Sequence, residues 1–188
     1  FTGLLLGASV VAGIPETHPA ERRRPLRLGP MLSDLWQVAR SGEFERMSWA
    51  ITFVFAGQFI YIGAAAIFVV DLLGKGEGDF WMFFVPMISG VIVGSWISGR
   101  AAGRVSARRL ITVGFSFSAA AAVLGVLLAV ACGPVLPWAV VGPSLIALGS
   151  GTAFPTIQVA LLDLFPSVRG AAASVAGVMP LATNAVIA

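Results

Sequence analysis

Long stretches without a single charged residue divide this chain. They cover residues 1–15, 47–70, 80–99, 110–162 and 170–188. A helix needs about 20 consecutive apolar residues to cross the hydrocarbon core of a bilayer, and the second and third stretches have about this length. The pattern therefore predicts a chain that crosses a membrane several times.

The fourth stretch is far too long for one membrane crossing, and it contains a natural break. Two prolines and a glycine within residues 132–137 favour a turn there. None of the stretches shows the alternation of apolar and polar residues that barrel strands require. We therefore predict an all-α, polytopic transmembrane helix bundle over residues 49–188, with spans at about 49–72, 80–99, 110–132, 138–162 and 170–188.

The first apolar run, residues 1–14, corresponds to about 20 Å of helix, which is shorter than the roughly 30 Å of a bilayer core. We interpret it as the end of a transmembrane helix. The last residues, 184–188, carry no flanking charge. Both observations favour a fragment of a longer chain.

Residues 15–48 form the only extended polar segment, which we predict to be a cytoplasmic central loop. Within it, Leu32, Leu35, Trp36 and Ala39 follow the i, i+3, i+4, i+7 spacing of an amphipathic helix. Arg40 and Gly42 favour the end of that helix. The segment therefore predicts a short helix on the membrane interface.

Basic residues are concentrated in alternate connections. All of the 12 basic residues except Lys75 lie in segments 15–48, 99–109 and 163–169. Cytoplasmic loops carry an excess of Lys and Arg, so we expect these segments in the cytoplasm and the segments 73–79 and 133–137 outside. The expected location is the cell membrane, most simply the inner membrane of a bacterium.

The composition agrees with a membrane protein. Hydrophobic residues make up 57% of the chain, charged residues 11%, and the mean hydropathy is +0.92. These values exclude a disordered chain and a water-soluble enzyme. The net charge of +3 is explained by the cytoplasmic loops, so no nucleic-acid partner is expected.

The sequence shows no cluster of residues for catalysis or metal binding. The single histidine, His18, and the single cysteine, Cys132, have no neighbouring ligand residues. Gly149 and Gly151 form an isolated G-x-G pattern without the preceding strand that a dinucleotide site requires. We predict no catalytic residues, no cofactor and no metal, and hence no enzyme.

Glycines four residues apart occur in the predicted span 80–99. Gly90 and Gly94 form a G-x-x-x-G pattern, which lets helix backbones approach closely in a membrane. Two interpretations are open, namely static packing and a sliding interface in a transporter. Pro143 and Pro155 in span 138–162 free backbone carbonyls, which fits either a central site or a kinked structural helix.

Few polar residues lie within the spans. Gln58 and Tyr61 are near the middle of span 49–72 and share one helix face. They either form hydrogen bonds between helices or line a polar cavity. We predict that they belong to a substrate path, with Asn184 as a weaker candidate.

The loop from Ser98 to Arg109 resembles the signature loop of the major facilitator superfamily. It keeps the residues Gly99, Arg104, Arg108 and Arg109. It differs at Gly103, where the pattern has an acidic residue, and at Ser106, where a second glycine is expected. In that superfamily the loop recurs between the eighth and ninth helices.

Other segments resemble the Bcr/CflA group of drug–proton antiporters. They are the residues around Pro15–Leu26, the stretch Pro155–Asp163, and the residues Phe165–Ser174. The resemblance implies the C-terminal half of a twelve-helix fold, completed by an N-terminal half of the same chain. It also implies alternating access and export of small amphipathic drugs in exchange for protons. A membrane-embedded enzyme and a structural membrane subunit are the competing hypotheses.

Overall fold

Seven α-helices make up most of the described chain. The structure, a computed structural model, describes residues 2–13, 28–133 and 135–187. Predictions that concern residues 14–27, including His18 and Arg22–Arg24, lie outside the described residues. The helices are α1 (Thr2–Gly13), α2 (Leu28–Ala39), α3 (Gly42–Gly63), α4 (Trp81–Ala101), α5 (Ala107–Cys132), α6 (Trp138–Asp163) and α7 (Arg169–Ile187).

The described residues are all-α, as the sequence predicts, and they contain no strand. Among the described residues, four helices are long and apolar enough to cross a membrane, namely α4, α5, α6 and α7. Their bounds lie within a few residues of the last four predicted spans. The charge-free stretches predict these helix bounds because charged residues lie only at the helix ends.

The predicted span 49–72 is divided in the structure. α3 begins already at Gly42 and ends at Gly63, and a π-helical segment covers Ile67–Leu72. Ser41 is the N-cap of α3, and its Oγ accepts a hydrogen bond from the amide of Phe44 at 3.4 Å. Glu43 and Glu45 in the first turn suit the helix dipole. Because capping favours an early start, the helix extends into the segment predicted as central loop.

Two compact units divide the chain, residues 1–33 and residues 34–188. The first contains α1 and the start of α2. In the second, α6 is the central helix, since both α4 and α5 pack along it, while α3 packs on α7 and α6.

Two clusters of buried side chains lie at opposite ends of α3 in the second unit. The inner cluster contains Phe44 and Ile51 of α3 together with Ile157 and Leu161 of α6. The outer cluster contains Ala65 and Val69 after α3, Phe83 of α4 and Val140 of α6. α3 is therefore held at both ends.

The segment predicted as amphipathic is helical, but the side chain that is buried is not on the predicted apolar face. Trp36, on the predicted apolar face, is 65% exposed, whereas Val38 is completely buried in the inner cluster. Val38 lies within the second unit, and its side chain packs the last turn of α2 into the inner cluster.

Candidate functional site

A cavity of about 570 Å³ lies beside the middle of α3. α3, α4, α5 and α6 contribute its walls, which are mostly apolar. The main apolar contributors are Phe53, Val54, Met87, Phe115, Pro143 and Ile146. A mostly apolar pocket with a few polar groups is the usual form of a site for an organic molecule.

Gln58 and Tyr61 both line this cavity. The sequence places them on one helix face, and the structure places that face toward α5 and α6. Ser118 of α5 is a third polar residue in the wall, but its hydroxyl already donates to the carbonyl oxygen of Ile146 at 3.0 Å.

Tyr61 is held in place by α4. Its ring lies parallel to the ring of Phe83, with centroids 3.9 Å apart and an interplanar angle of 7°. Its hydroxyl donates to the carbonyl oxygen of Phe83 at 3.4 Å. Tyr61 therefore belongs both to the cavity wall and to the contact between α3 and α4.

Gln58 lies between two cavities. The second has a volume of about 140 Å³ and is also lined by Ser95, Ser150 and Gly151. Within the described ranges the Gln58 side chain has no hydrogen-bond partner. This side chain is only partly buried, so its amide can form a hydrogen bond with a bound molecule or with water in either cavity.

The second cavity adjoins a carbonyl group that a proline leaves free. Pro155 has no N–H, so it cannot donate to the carbonyl oxygen of Gly151 one helical turn earlier. The hydroxyl of Ser95 on α4 donates to that oxygen at 3.4 Å. One turn further along, Ser98 and Thr156 also share a hydrogen bond, at 3.1 Å. α6 thus stays helical through Pro155 because α4 supplies the missing donor.

Gly90 and Gly94 are buried against α6. A Cβ on Gly90 would overlap the carbonyl oxygen of Ser144, and one on Gly94 would overlap the carbonyl oxygen of Leu148. On the opposite side of α6, a Cβ on Gly114 would lie 2.7 Å from the carbonyl oxygen of Gly149. Backbone therefore packs on backbone along both sides of α6.

Asn184 lies on α7, apart from both cavities as far as the described residues define them. Its Oδ1 atom is buried and lacks a hydrogen-bond partner in the described part of the chain. The structure therefore does not bring Asn184 together with Gln58 and Tyr61.

No group of three or more His, Cys, Asp or Glu residues that could hold a metal ion occurs among the described residues.

The model of the Major Facilitator Superfamily matches residues 1–183 of this chain. The chain belongs to the major facilitator superfamily. Together with the four long apolar helices, this makes it a multi-pass membrane protein and confirms the resemblance seen in the Ser98–Arg109 loop.

Two curated relatives within this superfamily are bacterial proteins. The bicyclomycin resistance protein homolog of Haemophilus influenzae is 30% identical over 113 residues, which are 60% of this chain and 28% of that protein. The uncharacterized MFS-type transporter YdgK of Bacillus subtilis is 24% identical over 111 residues, 59% of this chain and 28% of that protein. The matched part spans less than a third of the length of these relatives. No solved structure is significantly similar to this chain.

The loop that resembles the superfamily signature lies between α4 and α5. Gly99 and Arg100 are in the last turn of α4, and Arg108 and Arg109 are in the first turn of α5. Gly103 has a φ angle of +75°, a conformation that favours glycine. The glycine at this position therefore suits the conformation of the turn.

The hydrogen bonds of Ser95 and Ser118, which both donate to backbone carbonyls of α6, were not predicted from the sequence. A single serine in an apolar helix carries little signal. The signal that was available is Pro155, since a proline in a helix predicts a free carbonyl four residues earlier.

Proposed function

We propose that this chain is part of a secondary active transporter that exports small amphipathic compounds in exchange for protons by alternating access. Membership of the major facilitator superfamily supports transport. The name of the Haemophilus relative, a bicyclomycin resistance protein homolog, supports an antibiotic as the exported compound. The partners are then the transported molecule, protons, the lipid bilayer and the N-terminal half of the same chain.

The observation that carries the proposal is the position of Gln58. Its unpaired amide lies between an apolar cavity of about 570 Å³ and a smaller cavity with Ser95 and Ser150. An amphipathic molecule can place its apolar part in the larger cavity and accept or donate a hydrogen bond at Gln58. Tyr61 offers a ring edge to the same molecule, since its face is stacked on Phe83.

The stretch between Asp79 and Asp163 contains no acidic residue. We therefore expect the carboxylate that exchanges protons to lie outside this stretch. Proton exchange and substrate movement are then coupled through the change between inward-facing and outward-facing states.

The test uses the complete transporter, with resistance to bicyclomycin and to a panel of amphipathic antibiotics as the readout. Gln58→Ala should change resistance to individual compounds by up to about tenfold, the value of one lost hydrogen bond, while the amount of protein in the membrane stays the same. Ile62→Ala is the matched control, because Ile62 is on the same helix, 46% exposed and outside both cavities.

Unchanged resistance to every compound in the Gln58→Ala variant would contradict the assigned site. Equal accumulation of all compounds in cells with and without the intact transporter would contradict drug export itself. The second result would favour the competing hypotheses of a structural subunit or a membrane-embedded enzyme.

A further inference from the structure

Four arginines lie where α4 ends and α5 begins. Arg100 is in the last turn of α4, Arg104 is in the loop, and Arg108 and Arg109 are in the first turn of α5. All four are exposed, and they are the only charged residues between Asp79 and Asp163. We refer to them as the arginine cluster.

The arginine cluster lacks a negative partner in the described part of the chain. No carboxylate of residues 28–133 or 135–187 forms an ion pair with any of the four guanidinium groups. Arg169 provides the contrast. Its Nη2 lies 2.8 Å from Oδ1 of Asp163, so this arginine already has its anion.

Arg108 and Arg109 occupy an unfavourable position for the helix itself. The N-terminal turn of a helix carries a partial positive charge, which favours acidic residues and disfavours cations. The first turn of α5 contains no acidic residue. Helix stability therefore does not account for these two arginines, and a negative partner would compensate for their position.

Trp96 connects the arginine cluster to a surface that is suited to lipid. The guanidinium carbon of Arg100 lies 4.5 Å from the centre of the Trp96 ring, and Trp96 is 58% exposed. Further along the same face of α4, Ile88 and Ile92 are exposed, and Trp81 is exposed at the other end. Trp81 and Trp96 are separated by about 22 Å of helix, and tryptophans at both ends of an apolar face are typical of the two membrane interfaces.

Arg104 is directed back toward Arg100. One of its Nη1 hydrogens is donated to the carbonyl oxygen of Arg100 at 3.1 Å. A guanidinium group has five N–H donors in a planar arrangement that matches a phosphate group. Most donors of Arg104 therefore remain available, while its bond to the backbone of Arg100 keeps its guanidinium at the end of α4.

We infer that the arginine cluster binds the phosphate of an anionic phospholipid, with its acyl chains against the Trp81–Trp96 face of α4. Position decides between a lipid and a soluble phosphate compound. The cluster directly continues an exposed apolar helix face, and the indole of Trp96 lies between the two. An anionic lipid contacts both parts at once with one molecule, whereas a soluble phosphate contacts the arginines alone.

The test measures lipid retained by the complete transporter, purified in a neutral detergent, by native mass spectrometry. The probes are phosphatidylglycerol and phosphatidylcholine of the same chain length. The unaltered protein should retain phosphatidylglycerol in preference. Arg100→Gln combined with Arg104→Gln should weaken phosphatidylglycerol binding by about fivefold for each arginine removed, with phosphatidylcholine binding unchanged.

Two variants serve as controls. Arg169→Gln removes a cation that is already paired and should leave lipid retention unchanged. Arg100→Lys combined with Arg104→Lys keeps the charge and should keep most of the preference. If the glutamine variant does not fold, the unaltered protein still decides the question, since its preference for phosphatidylglycerol should fall as salt is added.

Three results would overturn the inference. The first is equal retention of the two lipids by the unaltered protein. The second is displacement of phosphatidylglycerol by an equal concentration of glycerol 3-phosphate, which would indicate a site for a soluble phosphate. The third is a glutamine variant with full lipid preference and a lowered melting temperature, which would indicate pairing with a carboxylate elsewhere in the transporter.

Discussion

The carbonyl oxygen of Leu148 occupies the position that a side chain on Gly94 would need. Gly94 is therefore not a neutral spacer within α4, because its missing side chain makes room for the backbone of α6. The contact of Gly94 with the carbonyl oxygen of Leu148 sets how closely α4 and α6 approach each other.

Gly94→Ala should lower the stability of the transporter by about 1–3 kcal/mol or more, since the overlap is with backbone atoms that cannot rotate away. Gly99→Ala is the matched control on the same helix, because a Cβ there meets nothing within 4 Å. The measurement is the melting temperature in detergent by intrinsic fluorescence. Equal melting temperatures for the two variants would contradict close packing at Gly94.

Ser95→Ala should leave the carbonyl oxygen of Gly151 without a donor and lower the free energy of unfolding by about 0.5–1.5 kcal/mol, as measured for hydrogen bonds between membrane helices. Adding Pro155→Ala restores a backbone N–H that can donate to that oxygen. The double variant should therefore recover much of the loss. Additive effects of the two substitutions would show that Ser95 does not act through this carbonyl.

Tyr61→Phe should change stability little, because the ring stack on Phe83 remains and the hydroxyl contact is long, at 3.4 Å. Tyr61→Leu should lose the parallel ring contact, which is worth about 0.5–1.5 kcal/mol beyond the area buried. Melting temperatures of the two variants check this prediction. A larger effect for Tyr61→Phe than for Tyr61→Leu would mean that the hydroxyl group, rather than the ring, holds α3 to α4.

Cysteines introduced at Arg104 and Arg169 should be protected from an impermeant thiol reagent in intact cells, whereas a cysteine at Lys75 should react. The reason is the distribution of basic residues along the chain. Cys132 is exposed and has to be replaced beforehand. Labelling at position 104 without labelling at position 75 would reverse the proposed orientation.

Asp163→Asn should change the free energy of unfolding by less than about 1 kcal/mol. The ion pair with Arg169 is short, at 2.8 Å, but its side chains are 59% and 58% exposed, and exposed pairs contribute little. Chemical or thermal unfolding at low and high salt checks this. A loss well above 1 kcal/mol that persists in high salt would indicate that the pair is covered in the complete transporter.

The long helices could be predicted from the sequence because a membrane-spanning helix needs about 20 consecutive apolar residues. α4 and α7 follow from charge-free stretches, and α5 and α6 follow from one such stretch divided by the prolines and glycine within residues 132–137. The division of α3 was not accessible. An uninterrupted apolar run such as 49–70 does not show where hydrogen bonding changes from α-helical to π-helical geometry after Gly63.

The candidate site was accessible in part. Gln58 and Tyr61 stand out because polar side chains are rare in apolar runs, and both line the large cavity. The residues around Gln58 and Tyr61 could not be predicted, since the sequence does not show which residue on another helix contacts Ser95 or Phe83. Val38 was missed because its burial depends on a tertiary contact with the inner cluster, and the helical period within α2 favoured a neighbouring face.

The contacts between α4 and α6 also have an entropic consequence. Gly90 and Gly94 on one side and Ala147 and Gly151 on the other have no rotatable side chains to immobilise when the helices associate. Packing of leucine against leucine would instead restrict the side-chain torsions of each residue, at about 0.5–1 kcal/mol for each leucine. In lipid, where association gains nothing from excluding water, this small loss of conformational freedom lets a weak set of contacts keep the two helices together.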